Sequence, residues 1–129
     1  MKKYDNFCNA LSNMADIFKY SEPYDNVTLT GLVGVFEICF EQAWKAMKEI
    51  LSEHGYDSSQ TGSPKKVLQT AFSSGMIDDE ELWLKALLAR NNVVHAYDRN
   101  IAAEIVRQAK DDYYDMFCRL KDTLENEWI

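Results

Sequence analysis

The sequence feature that most limits the fold is the spacing of apolar residues, which recur every three or four positions through almost the whole chain. This spacing is typical of amphipathic helices, because residues three and four apart lie on one helical face. Only five glycines and two prolines occur among the 129 residues, so few positions suit the tight turns that join short strands. The pattern predicts an all-α chain of a few long helices and argues against a many-stranded sandwich or barrel.

Turn-forming and capping residues divide the pattern into five helical segments. Pro23 cannot continue the first helix, His54 and Gly55 form a glycine C-cap after the second, and Gly75 ends the third. Asp98 restarts the pattern for the last helix. The apolar positions run over 4–18, 33–51, 67–72, 82–90 and 101–124, with Ser63-Pro64 starting the third segment, Asp78 or Asp79 capping the fourth, and a polar loop from Asp57 to Gly62. The short connections predict an antiparallel up-and-down four-helix bundle with an extra short helix, in one domain spanning residues 1–129.

Composition and charge exclude several functions. The net charge of −7 argues against a broad nucleic-acid-coating surface, although a local basic site stays compatible with it. No apolar run reaches the ~20 residues of a membrane span, and the first residues lack the apolar stretch of a signal peptide, so we expect no membrane contact. The three cysteines, Cys8, Cys39 and Cys118, are widely separated among apolar residues, which indicates reduced thiols in a cytoplasmic protein. The spacing of His, Cys, Asp and Glu predicts no metal, and we expect no other cofactor.

The segment from residue 90 to residue 98 contains several side chains that are capable of binding or catalysis. Arg90, Asn91, His95, Tyr97 and Asp98 follow one another where the apolar spacing breaks. One interpretation is a capping and turn cluster, because Asn and Asp commonly end or begin helices and the arginine can pair with an acid. The other is a phosphate site, because arginine offers a fixed fork of donors and histidine can move a proton near neutral pH. The residues by themselves favour the capping and turn cluster, with the phosphate site as the alternative.

A second polar group lies on the second predicted helix. Glu37 and Glu41 are four residues apart on one face, where two like charges destabilise a helix unless cations lie nearby. Lys45 and Lys48 can supply part of that positive charge. The spacing predicts a solvated or paired helix face.

Three segments of the chain resemble, in the same order, motifs of the nucleotidyltransferase substrate-binding protein family. Residues 36–45 (FEICFEQAWK) look like its helix with two glutamates and a Trp-Lys pair, and Ser63-Pro64 with residues 71–77 resembles its second segment. Trp83, residues 90–91 and residues 95–98 resemble its third segment. Arg90 and His95 also fit the R-x4-6-H signature of the HEPN superfamily, extended to H-x-Y by Tyr97. The resemblance covers roughly residues 4 to 125.

The resemblance implies a helical subunit of a two-component system, typically of toxin–antitoxin type. The partner is a minimal nucleotidyltransferase encoded nearby, which has the catalytic carboxylates but lacks a substrate-binding helical domain. The bundle is implied to form a two-fold homodimer with the Arg/His motifs near the interface. On this resemblance the residues for partner or substrate binding are Glu37, Glu41, Trp44 and Lys45, and those that support the site are Asn91 and Asp98.

The same resemblance carries an alternative function. Related HEPN toxins are metal-independent ribonucleases, which implies Arg90 and His95 as catalytic residues acting across a homodimer, with RNA as a further partner. In such pairs the transferase restrains the toxin by attaching AMP to the tyrosine of H-x-Y, here Tyr97, which we expect on an exposed turn. The Trp44-Lys45 and Tyr97-Asp98 features favour the substrate-binding branch over the toxin branch.

Overall fold

The chain folds into helices that pack side by side in the computed structural model, which describes residues 2–57 and 61–129. Within these ranges there is no strand, and the predicted all-α class is confirmed. The predicted loop from Asp57 to Gly62 includes residues 58–60, which lie outside the described residues. The elements are α1 (Lys2–Met14) with a 3₁₀ turn (Ala15–Lys19), α2 (Asn26–Glu53), α3 (Pro64–Ser73), α4 (Glu80–Asn91) with a 3₁₀ turn (Asn92–His95), α5 (Arg99–Gln108) and α6 (Tyr114–Thr123).

The last predicted helix is one continuous rod. Two π-helical stretches, Ala109–Tyr113 and Leu124–Trp128, extend α5 into α6 and α6 toward the end of the chain. Ala109, which begins the first stretch, and Tyr114, which directly follows it, keep right-handed helical backbone angles, so the chain does not turn there. We call residues 99–128 the C-terminal rod.

Contacts between helix ends fix the direction of each helix. The backbone N–H of Lys3 donates to Glu49 Oε1 at 3.4 Å, so α1 begins where α2 ends and the two are antiparallel. Arg99 Nη2 donates to the carbonyl oxygen of Tyr24 at 2.8 Å, which places the start of the C-terminal rod beside the start of α2. The C-terminal rod therefore runs parallel to α2 and antiparallel to α1.

The direction of α4 completes the bundle. Ile77, just before α4, lines a small cavity with Thr123 from the end of the C-terminal rod, and Asn92, just after α4, lines a groove with Ile101 from its beginning. Each long helix is thus antiparallel to the next one in the chain, and α3 is the short extra helix between α2 and α4. This confirms the predicted up-and-down arrangement.

Aromatic rings fill the centre of the bundle. Phe36 stacks on Tyr113 with ring centroids 5.3 Å apart, and Trp83 meets Phe117 edge to face at 5.5 Å. These four side chains come from α2, α4 and both halves of the C-terminal rod, and all are buried. Such edge-to-face and offset pairs add to the free energy gained by burying their area.

Most helix boundaries follow the capping signals in the sequence. Ser63 and Asp79 cap α3 and α4 by accepting backbone hydrogen bonds from Lys66 and Leu82, respectively. Gly55 and Gly75 have φ values of +97° and +85°, the left-handed conformation that favours glycine after a helix. The predicted glycine ends of the second and third helices are therefore confirmed.

The start of α2 differs from the prediction. The apolar stripe begins at Val33, but the helix begins at Asn26, where the Asp25 side chain accepts a hydrogen bond from the Thr28 N–H at 2.8 Å. Threonines and glycines occupy much of this first part, and their low helix propensity hides it from an apolar pattern. Packing on α1 and the C-terminal rod compensates, because Leu29 and Leu32 are buried.

Candidate functional site

The candidate site is centred on Arg90, in the last turn of α4. Its Nη2 forms a salt bridge with Glu41 Oε1 of α2, and its Nη1 donates to Asn91 Oδ1 at 3.2 Å. The side chains of Arg90 and Glu41 are 26% and 24% exposed, so the pair lies at the edge of the core, where it is screened less than a surface pair. The expectation that the arginine pairs with an acid is confirmed.

Glu41 also holds Trp44. The indole N–H of Trp44 donates to Glu41 Oε2 at 3.1 Å, one helical turn along α2. One carboxylate therefore pairs with the guanidinium and accepts a hydrogen bond from the indole, and it joins the first and third sequence motifs in space. A carboxylate with two donors in a partly dry setting orients both of them.

The chain leaves α4 through a 3₁₀ turn that carries His95. Asn91, Asn92, Val93 and Val94 all have modest helix propensity, which suits a stop at this point. Asp98 then begins α5, because its Oδ1 accepts from the N–H groups of Asn100 and Ile101 at 2.8 and 3.4 Å. The capping interpretation of Asp98 is thus confirmed.

His95 and Tyr97 lie on the outer surface of this turn. Tyr97 is 86% exposed, which is the exposure expected of it, and His95 is exposed as well. Their rings meet edge to face with centroids 6.4 Å apart. Both side chains are therefore within reach of another macromolecule, and their chemical roles stay predictions.

Arg90 and His95 belong to one surface but are not joined. Among residues 2–57 and 61–129, no hydrogen bond links the two side chains, and the arginine is occupied by Glu41 and Asn91. A complete acid/base pair would need a second histidine near the same phosphate. His54, the other histidine of the chain, lies at the end of α2 against Trp128.

The remaining predicted residues lie along α2. Glu37 is half-buried one turn before Glu41, and no hydrogen bond or ion pair in the described part of the chain engages it. Lys45 is also half-buried, and it faces a groove formed with the first turn of α1. The structure therefore joins Glu41, Trp44 and Arg90, and it places Lys45 in a neighbouring groove.

Sequence reasoning missed two members of that groove. Lys3 comes from α1 and Lys48 lies one turn after Trp44, and both line it. The sequence pattern indicates Lys48 only as a counter-charge for the glutamates. Lys3 is distant in sequence and carries no local pattern, so only the antiparallel packing of α1 on α2 brings it there.

Two further kinds of feature are absent from the described residues. In these ranges, no three His, Cys, Asp or Glu side chains come together in a way that could hold a metal ion. No described helix is both long enough and apolar enough to cross a bilayer.

Comparison with known proteins finds a matching family profile and similar solved structures. A family profile described as "Nucleotidyltransferase substrate binding protein like" matches residues 2–126. A crystal structure of a Thermus thermophilus protein is similar, with 26% identity, a TM-score of 0.74, and coverage of 95% of this chain and 98% of that one. No curated protein gives a significant match.

A second solved structure shares the fold. It is a Haemophilus influenzae protein described as revealing the fold of a substrate binding domain of a nucleotidyltransferase. It is 22% identical, with a TM-score of 0.71, and the match covers 97% of this chain and 96% of that one. At this identity the likeness concerns the fold.

Proposed function

The chain belongs to the nucleotidyltransferase substrate binding protein like family, and from this membership we propose that it is the helical subunit of a two-component nucleotidyltransferase. In this role it binds the substrate and a minimal transferase subunit, which supplies the catalytic carboxylates. The observation that carries the proposal is the length of the family match, which takes in α1 to α6 and all three motifs. We treat residues 1–129 as one domain.

The surface around the α4–α5 turn supports a protein partner. Leu88, Val94 and Tyr97 are 65%, 73% and 86% exposed, although all three are large and apolar. Three such side chains within ten residues indicate a surface that another protein covers. This is where we place the contact with the transferase or with a second copy of the chain.

A homodimer is part of the proposal. The chain has three Trp, seven Tyr and six Phe, more large rings than a short core readily hides. Several large apolar side chains are also exposed elsewhere on the surface, among them Phe18, Ile38 and Phe72. Light scattering during size exclusion should give a dimer mass, and a monomer mass at micromolar concentration would contradict this part.

Co-purification tests the subunit role. The chain should be expressed with the short nucleotidyltransferase encoded beside it, and a stable complex should elute as one peak. Val94→Asp should weaken this complex, because the substitution places a charge on the exposed apolar surface. Val27→Asp is the matched control, since Val27 is 84% exposed on the first turn of α2. A transferase that elutes apart from the wild-type chain would refute the role.

A toxin–antitoxin function is the finer form of the proposal. The exposed phenol of Tyr97 suits attachment of AMP by the transferase, which would add bulk and negative charge beside His95. The three thiols are free, which suits a cytoplasmic system.

Ribonuclease activity is the second candidate function. The favouring observation is that His95 is exposed one 3₁₀ turn after Arg90, so its ring is open to a substrate. Cleavage without a metal needs a base for the 2′-hydroxyl, an acid for the leaving oxygen and positive charge for the phosphorane. Each chain would supply one His95 and one Arg90, so the activity would require the dimer.

A further inference from the structure

A groove with unusual charge lies where α1 begins and α2 ends. Its volume is about 470 Å³, and its lining consists of Lys3, Trp44, Lys45, Lys48, Glu49, Ser52 and Glu53. We call it the lysine groove. It lies beyond Trp44 as seen from the Arg90–Glu41 pair, so the same indole borders both places.

The three lysines of the groove take no part in the ion pairs formed among residues 2–57 and 61–129. Ion pairs engage other lysines of the chain, such as Lys19 with Asp16 and Lys85 with Asp112, but in the described part of the chain none engages Lys3, Lys45 or Lys48. This is notable in a chain with 21 acidic and 14 basic residues. Three lysines and two glutamates line the groove, so its charge is net positive although the whole chain is acidic, which points to an anionic ligand.

The indole of Trp44 offers a fixed aromatic surface. Its N–H is held by Glu41 at 3.1 Å, and the side chain is packed partly on the core and partly exposed to the groove. An aromatic ring held in one orientation can stack on a flat heterocycle without further ordering. The groove therefore combines a stacking surface with positive charge.

The volume of the lysine groove and the two glutamates in its lining limit the kind of ligand that it can bind. A volume of about 470 Å³ is within the ~300–1,000 Å³ range of small-molecule sites. Glu49 is turned toward the backbone of Lys3, but Glu53 is exposed at the rim, where it repels a long polyanion. The small volume and the nearby carboxylates together favour a ligand with a few phosphates over an RNA strand.

We propose that the lysine groove binds a mononucleotide, with its base on Trp44 and its phosphates on Lys3, Lys45 and Lys48. The inference does not depend on the proposed subunit role, because it rests on this chain alone. Ser52 adds a hydroxyl that can donate to a phosphate or ribose oxygen.

Titration calorimetry of the purified chain with ATP in EDTA tests the site directly. Lys45→Gln/Lys48→Gln should weaken ATP binding about tenfold or more, because each lysine contributes a charge-assisted contact. Lys19→Gln/Lys85→Gln removes the same charge elsewhere and should leave binding within about twofold. If the double variant fails to fold, Lys48→Gln alone takes its place, because Lys48 is exposed and its substitution should leave the fold intact. It should also weaken ATP binding.

Three ligands separate this site from other kinds of anion binding. Adenosine and inorganic triphosphate should each bind more weakly than ATP, since each lacks one half of the contacts, and Trp44→Leu should remove the difference between ATP and triphosphate. Absence of ATP binding, equal binding by the groove and control variants, or triphosphate binding as tight as ATP would overturn the proposal. Tighter binding of a single-stranded RNA oligonucleotide would also overturn it. Since no transferase is present, these results leave the subunit role to its own test.

Discussion

Arg90 at the end of α4 is bound by Glu41 from the middle of α2, although 48 residues separate them in the chain. The same carboxylate accepts the indole N–H of Trp44. Two segments singled out by their sequence are thus parts of one arrangement. The glutamate keeps the guanidinium in place and neutralises part of its charge, so a phosphate that approaches Arg90 has to compete with Glu41.

Removing the charge of Glu41 should destabilise the fold moderately. We expect Glu41→Gln to lower the free energy of unfolding by about 1–2 kcal/mol, between the values for exposed and buried ion pairs, because the pair is about a quarter exposed. The amide oxygen of glutamine can still accept from Trp44. Urea denaturation followed by circular dichroism measures the change.

Glu37→Gln is the control for this prediction. Glu37 lies on the same helix without an ion-pair partner among the described residues, so its substitution should change stability by less than about 0.5 kcal/mol. Arg90→Gln combined with Glu41→Gln should cost less than the sum of the single variants, since the two side chains interact. Strict additivity would mean that the ion pair contributes nothing to stability.

Tyr97 should be the position that gains AMP. With an active transferase partner and ATP, intact mass spectrometry should show one added AMP per chain, and Tyr97→Phe should abolish it. Tyr20→Phe is the matched control, because Tyr20 is also exposed, at 47%, but lies at the end of the 3₁₀ turn after α1. An unchanged wild-type mass would exclude this modification under those conditions.

The ribonuclease hypothesis predicts a loss of activity in two variants. Arg90→Ala and His95→Ala should each lower the rate of RNA cleavage in EDTA by about 10²-fold or more, as for a phosphate-binding group and a general acid/base. The activity should require the dimer, since each chain supplies one His95 and cleavage needs both an acid and a base. His54→Ala should cleave like wild type. No cleavage by the unmodified wild-type chain would leave only the subunit role.

Tyr113 should make the fold sensitive to alkaline pH. Burial, followed by the negative charges of Asp112 and Glu104, raises the pKa of Tyr113 to about 12, compared with about 10 for an unfolded tyrosine. Above pH 10 the unfolded chain loses this proton while the folded chain keeps it, so the stabilising contribution is complete below pH 10 and is lost between pH 10 and 12. We expect Tyr113→Phe to lose less stability across this window.

Urea midpoints measured from pH 9 to pH 12 give that comparison. Tyr113→Phe also removes the hydrogen bond from the phenol to Gln108 Oε1 at 3.2 Å, so only the slope with pH is informative, not the absolute stability. Parallel curves for wild type and Tyr113→Phe would contradict the prediction.

The site could be predicted in part, and the missing part has a physical cause. Capping by Asp98 follows from local chemistry, because caps involve residues close in sequence. That Arg90 pairs with some acid follows from its charge, although the acid itself is distant in the chain. The choice of Glu41 instead of Glu37 depends on how α4 lies against α2. No local pattern contains that information.

The sequence by itself determined the all-α class, the five helical segments and most of their ends. These features come from spacing and capping within a few residues, since a helix presents every third or fourth side chain to the same neighbour. Only the tertiary structure decided that Glu41 joins Trp44 to Arg90, and that Lys3 meets Lys45 and Lys48 in the lysine groove. Such meetings depend on the direction and depth at which whole helices pack, and these are set by the combined fit of buried side chains from distant segments.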